Sequence, residues 1–147
     1  MNTNKKPARI VGVFYLTAMV TYVLGMETFL GPILNAPDFL INVSANSTQV
    51  IIGVLLELIN TAVVVGIGVV MFPILKKHNL RLALGYVGAR IFEGFFDALN
   101  VISLLILLSL SREFVTAGAP INSYFQTSGA LLLAAIDWGS ILMDFPF

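Results

Sequence analysis

Three ionisable side chains lie within one almost unbroken apolar segment, residues 82–110. At about 100° per residue, Arg90, Glu93 and Asp97 fall within about 60° of one another on the surface of a helix. Charged groups at membrane depth are costly, and they normally face a protein interior or a water-filled cavity. The stripe therefore predicts a polar centre on this helix.

The stripe is compatible with three kinds of chemistry. Its ionisable groups could join helices through interhelical hydrogen bonds, which is a structural or regulatory role and our main interpretation. An excess of buried acid also suits proton-coupled or small-molecule transport, which is the alternative. Glu93 and Asp97, at i and i+4, could also act as an acid–base pair in an intramembrane enzyme, which ranks third. We find no nucleophile elbow, phosphate loop, zinc-binding helix or dinucleotide fingerprint.

Composition indicates that lipid surrounds the chain. Of its 147 residues, 58% are hydrophobic and 11% are charged, whereas about 25% are charged in an ordinary soluble domain. Zero net charge without a basic tract argues against nucleic-acid binding. The chain has no cysteine, and His78 is its only histidine, so we expect no disulfide, metal site or cofactor.

Four apolar segments, residues 10–30, 50–75, 82–110 and 128–147, are each near the roughly 20 residues that cross a bilayer core. They predict an all-α integral membrane bundle with four transmembrane helices in one domain, residues 1–147. Residues 31–49, with two prolines and a Ser/Asn/Thr cluster, are predicted to form a loop. Asn46 or Ser47 is predicted to cap the second helix, and Ser123 with Gln126 matches a capping box for the fourth.

Basic residues predict the orientation of these segments. Six of them lie before the first span or between the second and third, and one lies in the other two links: Lys5, Lys6, Arg9, Lys76, Lys77 and Arg81 against Arg112. This bias predicts a multi-pass protein of the cell membrane with a cytoplasmic N terminus. The first segment is interpreted as an uncleaved span, because no small-x-small cleavage site follows it.

Depth along the helices predicts which residues meet the stripe. At about 1.5 Å per residue, Glu57 is level with Asp97, and the fourth helix brings two more carboxylates into range. The predicted centre comprises Glu57, Tyr86, Arg90, Glu93, Asp97, Asn100, Asp137 and Asp144. Within it we predict an ion pair of Arg90 with Asp144 or Glu93, and Glu57, Asp97 and Asp137 facing a common point. Five carboxylates against one arginine require some to be protonated, hydrated or paired elsewhere.

Two segments of the chain resemble a known family. They are Phe-Pro-Ile-Leu-Lys-Lys at residues 72–77 and Ala-Leu-Gly-Tyr-Val-Gly-Ala-Arg-Ile-Phe-Glu-Gly at residues 83–94, with a similar basic opening at residues 4–10. The chain resembles the prokaryotic membrane family known as domain of unknown function 4386. The resemblance implies a multi-spanning protein of about six helices and assigns no residue a role. Because the chain stops within an apolar segment, we expect it to be a fragment that meets further transmembrane helices or a second copy.

Overall fold

The computed structural model describes residues 5–118 and 124–143, and within these ranges it contains helices and no strand. The helices are α1 Lys5–Tyr22, a π-helical segment Val23–Leu30, α2 Gly31–Leu34, α3 Phe39–Ala45, α4 Ser47–Lys76, α5 Leu80–Ala117 and α6 Tyr124–Met143. The all-α prediction is confirmed for the described part of the chain.

Three of the described helices are long and apolar enough to cross a membrane. They are Lys6–Leu34, Ser47–Lys76 and Leu80–Ala117, with 29, 30 and 38 residues. At about 1.5 Å per residue, even the first exceeds a hydrocarbon core of about 30 Å. They correspond to the first three predicted segments, and α6 is not among them.

The predicted loop at residues 31–49 is wrong. This stretch forms α2, α3 and the start of α4. Pro32 lies in the first turn of α2, where its fixed φ is compatible with helix. In α3, Leu40 and Val43 are three residues apart and fully buried, so helical folding places both on the face that packs against α5.

The predicted cap of α4 is right in position only. Asn46 is the N-cap residue of α4, but its side chain makes no capping hydrogen bond. Instead, Asn46 Nδ2 donates to the carbonyl oxygen of Asn42 at 2.9 Å, because α3 runs almost directly into α4. Ser123, the first residue of the predicted capping box, lies outside the described residues.

A side-chain cap is present at the start of α5. Asn79 Oδ1 accepts hydrogen bonds from the backbone amides of Arg81 at 2.8 Å and Leu82 at 3.4 Å. At the other end, Gly118 has φ +57° and ends the helix in the left-handed conformation that glycine adopts without strain. These two signals place the ends of α5 beyond the predicted 82–110.

Helices α4 and α5 form the centre of the packing. Helix α1 and the π-helical segment lie against α4, whereas α3 and α6 lie against α5. The α4–α5 approach is close at Gly94, where an added Cβ would lie 2.6 Å from Val65 Cγ2. Helix α4 also meets α1 closely at Gly66, beside Phe14. Small residues of this kind allow the backbones to approach.

Candidate functional site: an arginine cluster and a buried carboxyl pair

The guanidinium of Arg90 is held by three side chains. Nη1 donates to Glu93 Oε2 at 2.7 Å, Nη2 donates to Tyr15 Oη at 2.7 Å, and Nε donates to Tyr86 Oη at 3.3 Å. The tyrosine hydroxyls lie 3.0 Å apart, and both rings lie 5.4 Å from Arg90 Cζ. We call these four residues the arginine cluster. Of the two predicted partners of Arg90, Glu93 forms the ion pair, and Asp144 lies outside the described residues.

The arginine cluster fastens α1 to α5. Tyr15 comes from α1, and the other three members come from two turns of α5. Hydrogen bonds to a charged group contribute about 1.5–3 kcal/mol in soluble proteins, and interhelical ones in membranes average nearer 0.6 kcal/mol. Tyr15 was missed in the sequence, where its only signal was one hydroxyl in an apolar run.

A second group of polar side chains lies deeper in the packing. Glu57 of α4 and Asp97 of α5 are 7% and 4% exposed. Glu57 Oε1 and Asp97 Oδ2 are buried and have no hydrogen-bond partner among the described residues. We call Glu57 and Asp97 the carboxyl pair. Two more buried polar side chains, Asn60 and Asn100, belong to the same helices.

The π-helical segment covers Glu57. A Cβ on Gly25 would lie 2.7 Å from Glu57 Oε1 and 3.2 Å from Leu56 Cβ, so the segment can approach α4 because residue 25 has no side chain. The hydrogen bond from Gly31 N to the carbonyl oxygen of Met26 spans five residues, as in π-helical winding. Interruptions of this kind are frequent at functional sites.

A cavity of about 280 Å³ lies between the arginine cluster and α6. Its charged lining is Arg90, Glu93 and Asp97, and Asn60 and Ser140 add uncharged polar groups. Its other described lining residues are Tyr15, Ala18, Met19, Tyr22, Val64 and Ile67. We call it the central cavity. Four helices, α1, α4, α5 and α6, contribute residues to its lining.

A second cavity of about 260 Å³ lies between the π-helical segment and α6. Glu27, Asn35 and Asp137 contribute its polar lining, and Tyr22 and Ser140 line both cavities. We call it the outer cavity. Glu27 and Asn35 were not predicted, since they follow the first apolar run rather than the stripe on α5.

The structure places the predicted centre as follows. Arg90, Glu93 and Asp97 line one cavity, Tyr86 contacts Arg90, and Glu57 and Asn100 are buried. Asn100 lies directly against the backbone of Gly139 in α6.

The prediction that Asp137 faces the same point as Glu57 and Asp97 is wrong. Helix α6 turns Ile136 and Gly139 inward, so Asp137 is exposed and lines the outer cavity. Among residues 5–118 and 124–143, no group of three His, Asp or Glu side chains could hold a metal ion.

One of three comparisons with known proteins finds a match. A family model described as Domain of unknown function (DUF4386) matches residues 10–145. No curated protein and no solved structure matches the chain. The match covers almost the whole chain and confirms the resemblance carried by the segments around Pro73 and Arg90. The chain belongs to the DUF4386 family.

Proposed function

We propose that the chain is a multi-spanning protein of the cell membrane whose central cavity binds a small cationic solute. The three long apolar helices support a membrane location. Helix α6 would be the fourth span, since 20 residues cover about 30 Å. The basic residues before α1 and in the α4–α5 link support a cytoplasmic N terminus. The bilayer is then the main partner of the outward apolar faces.

The proposal rests on the burial of Asp97 and on its missing hydrogen-bond partner within the described part of the chain. Asp97 is 4% exposed, lines a cavity, and its Oδ2 has no partner among the described residues. Leaving a buried polar atom unsatisfied costs about 1–3 kcal/mol. A carboxyl retained only to join helices would be hydrogen-bonded to a neighbouring helix, as Arg90 is. A donor that enters the cavity and bonds to Asp97 would offset this cost.

The charge and size of the cavity define the solute. Arg90 is already paired with Glu93, so Asp97 is an acidic group of the described lining without a basic partner, and Glu57 is a second buried carboxyl on α4. This excess favours a cation. At about 280 Å³, the cavity is just below the roughly 300–1,000 Å³ of pockets for drug-sized ligands. The solute is therefore a compact molecule, such as a short-chain amine.

A thermal-stability series on the purified protein in detergent tests the proposal. The probes are methylammonium, ethylammonium, tetramethylammonium and guanidinium chlorides, each compared with sodium chloride at equal ionic strength. A cation that binds the folded state alone at 100 times its Kd stabilises it by about 2.7 kcal/mol. We expect at least one probe to raise the unfolding temperature of the wild type and not that of Asp97→Asn.

Ser109→Ala is the matched control, since Ser109 is exposed on α5 and lines neither cavity. It should respond to the probes as the wild type does. A wild type that responds to no probe, or an Asp97→Asn variant that responds equally, would refute cation binding at this position.

A purely structural role is the second candidate, and the arginine cluster favours it. All three nitrogens of the Arg90 guanidinium have partners, and one of these lies on another helix. This role concerns the arginine cluster and leaves the carboxyl pair unexplained. The stability of Arg90 and Glu93 variants tests it separately, as described in the Discussion.

A further inference from the structure

We infer that the outer and central cavities form one aqueous path, selective for cations, which leads from the outer side of the membrane between α1 and α6 to Asp97. The inference rests on the proposed function and adds the route and the charge selection of the solute. Tyr22 and Ser140 line both cavities, so the two spaces meet at this pair.

The packing of the helices leaves room for such a path. Helix α1 and the π-helical segment lie against α4, whereas α6 lies against α5. Within the described ranges, α1 and α6 therefore border a cleft rather than an extended contact. The outer cavity occupies the cleft beside the π-helical segment, and the central cavity continues it toward α5.

The lining of the outer cavity indicates that water fills it. Glu27 and Asp137 are exposed side chains on opposite sides of the cleft, and Asn35 lies beside them. Carboxylates at membrane depth normally face water or protein rather than lipid. No described lining residue of the outer cavity is basic. Clefts lined by one sign of charge raise the local concentration of the opposite ion by an order of magnitude or more.

Asp97, at the inner end of the path, provides a second observation, which does not depend on the lining of the outer cavity. Asp97 lines the central cavity and is more than nine-tenths buried, and its buried Oδ2 has no hydrogen-bond partner among the described residues. Acidic groups thus occur at the entrance and at the end of the path. Beyond the end of the path, about two turns from Asp97 toward the N terminus of α5, the arginine cluster keeps the positive charge of Arg90 paired with Glu93.

Single-cysteine labelling tests the path directly, because the chain has no cysteine of its own. Ser140→Cys places a thiol at the junction, and Leu133→Cys, on the α6 wall of the outer cavity, is a second reporter. Ile141→Cys is the matched control, since it is adjacent to Ser140, 50% exposed and lines neither cavity. The reagents are membrane-impermeant trimethylammonium-ethyl and sulfonato-ethyl methanethiosulfonates, applied to intact cells.

The measured quantity is the ratio of the cationic to the anionic labelling rate, each normalised to a free thiol. Because both reagents react with the same thiol, the ratio removes the effect of differences in reactivity between cysteines. We expect it to be on the order of tenfold for Ser140→Cys and to fall toward one when Glu27→Gln and Asp137→Asn are added. We expect Ile141→Cys to react with neither reagent.

Three results would overturn the inference. They are a rate for Ser140→Cys no higher than for Ile141→Cys, a ratio near one, or labelling from the cytoplasmic face of inverted vesicles alone. Labelling needs no bound solute, so its result tests the path separately from the binding that the thermal-stability series measures. If labelling is selective for the cationic reagent but no cation probe raises the unfolding temperature of the wild type, the results count against the proposed function alone.

Discussion

Replacing Arg90 with leucine should destabilise the protein more than replacing Arg90 and Glu93 together. In the single variant, the Glu93 carboxylate loses its partner at 2.7 Å, and the hydroxyls of Tyr15 and Tyr86 lose a charged donor. Removing one partner of a fully buried ion pair costs about 3–5 kcal/mol. The two side chains retain 19% and 30% exposure, and the solvent that they reach lowers our expectation to about 2–3 kcal/mol.

The double variant Arg90→Leu/Glu93→Leu removes both charges and keeps the hydrogen bond between Tyr15 and Tyr86. We expect its free energy of unfolding to lie within about 1 kcal/mol of the wild type, because replacing both members of a buried pair by apolar residues is often neutral. The free energy of unfolding of Arg90→Lys should lie between those of Arg90→Leu and the double variant, since an ammonium keeps the charge without the planar fork of donors.

The assay is unfolding of the detergent-solubilised protein by increasing mole fractions of dodecyl sulfate, followed by circular dichroism. If the double variant is no more stable than Arg90→Leu, the ion pair does not explain how the arginine cluster stabilises the protein. The assignment of a structural role to these residues would then be wrong.

Two further substitutions test contacts between other helices. Tyr15→Phe keeps the ring beside Arg90 but removes the hydroxyl that accepts from Nη2 at 2.7 Å. The same titration should show a loss of about 0.6–1.7 kcal/mol, from the average to the maximum found for interhelical hydrogen bonds in membranes, and no loss would mean that this bond does not fasten α1. Gly53→Ala places a Cβ 2.6 Å from Cγ of the fully buried Leu30, and overpacking of this kind costs about 1–3 kcal/mol. Gly12→Ala, with nothing within 4 Å, is its control and should be neutral or stabilising, so equal losses at both glycines would refute the packing argument.

Most of the part of the site that could be predicted lies on one helix, α5. The spacing of Arg90, Glu93 and Asp97 determines their common face once the segment is helical, and all three line the central cavity. The predicted ion pair with Glu93 depends only on positions i and i+3 of that helix. Glu57 could be assigned to the same depth as Asp97 because rise per residue is constant, and both are buried.

The rest depends on how the helices rotate about their axes, which local spacing does not determine. Asp137 was predicted to face Asp97, but α6 turns Gly139 toward Asn100 instead. Tyr15 meets Arg90 because of the orientation of α1, for which the apolar run offered no marker. The helices in residues 31–49 were missed because Pro32, Pro37 and the Ser/Asn/Thr cluster were interpreted as loop signals. Pro37 does lie in a turn, whereas Pro32 lies in the first turn of α2, a position that accepts proline.

The π-helical segment makes the chain length between Tyr15 and Leu30 critical. The segment holds Leu30 against Gly53 at one end, while Tyr15 contacts Arg90 on the other side of it. Winding the same eight residues of Val23–Leu30 as ordinary α-helix would rotate the preceding helix by roughly 100°, because a π-helical turn holds about one residue more than an α-helical turn. The hydroxyl of Tyr15 would then point away from α5. Homologous chains that keep the tyrosine–arginine contact should therefore either share this spacing and the π-helical winding or replace the segment with an α-helix one residue shorter.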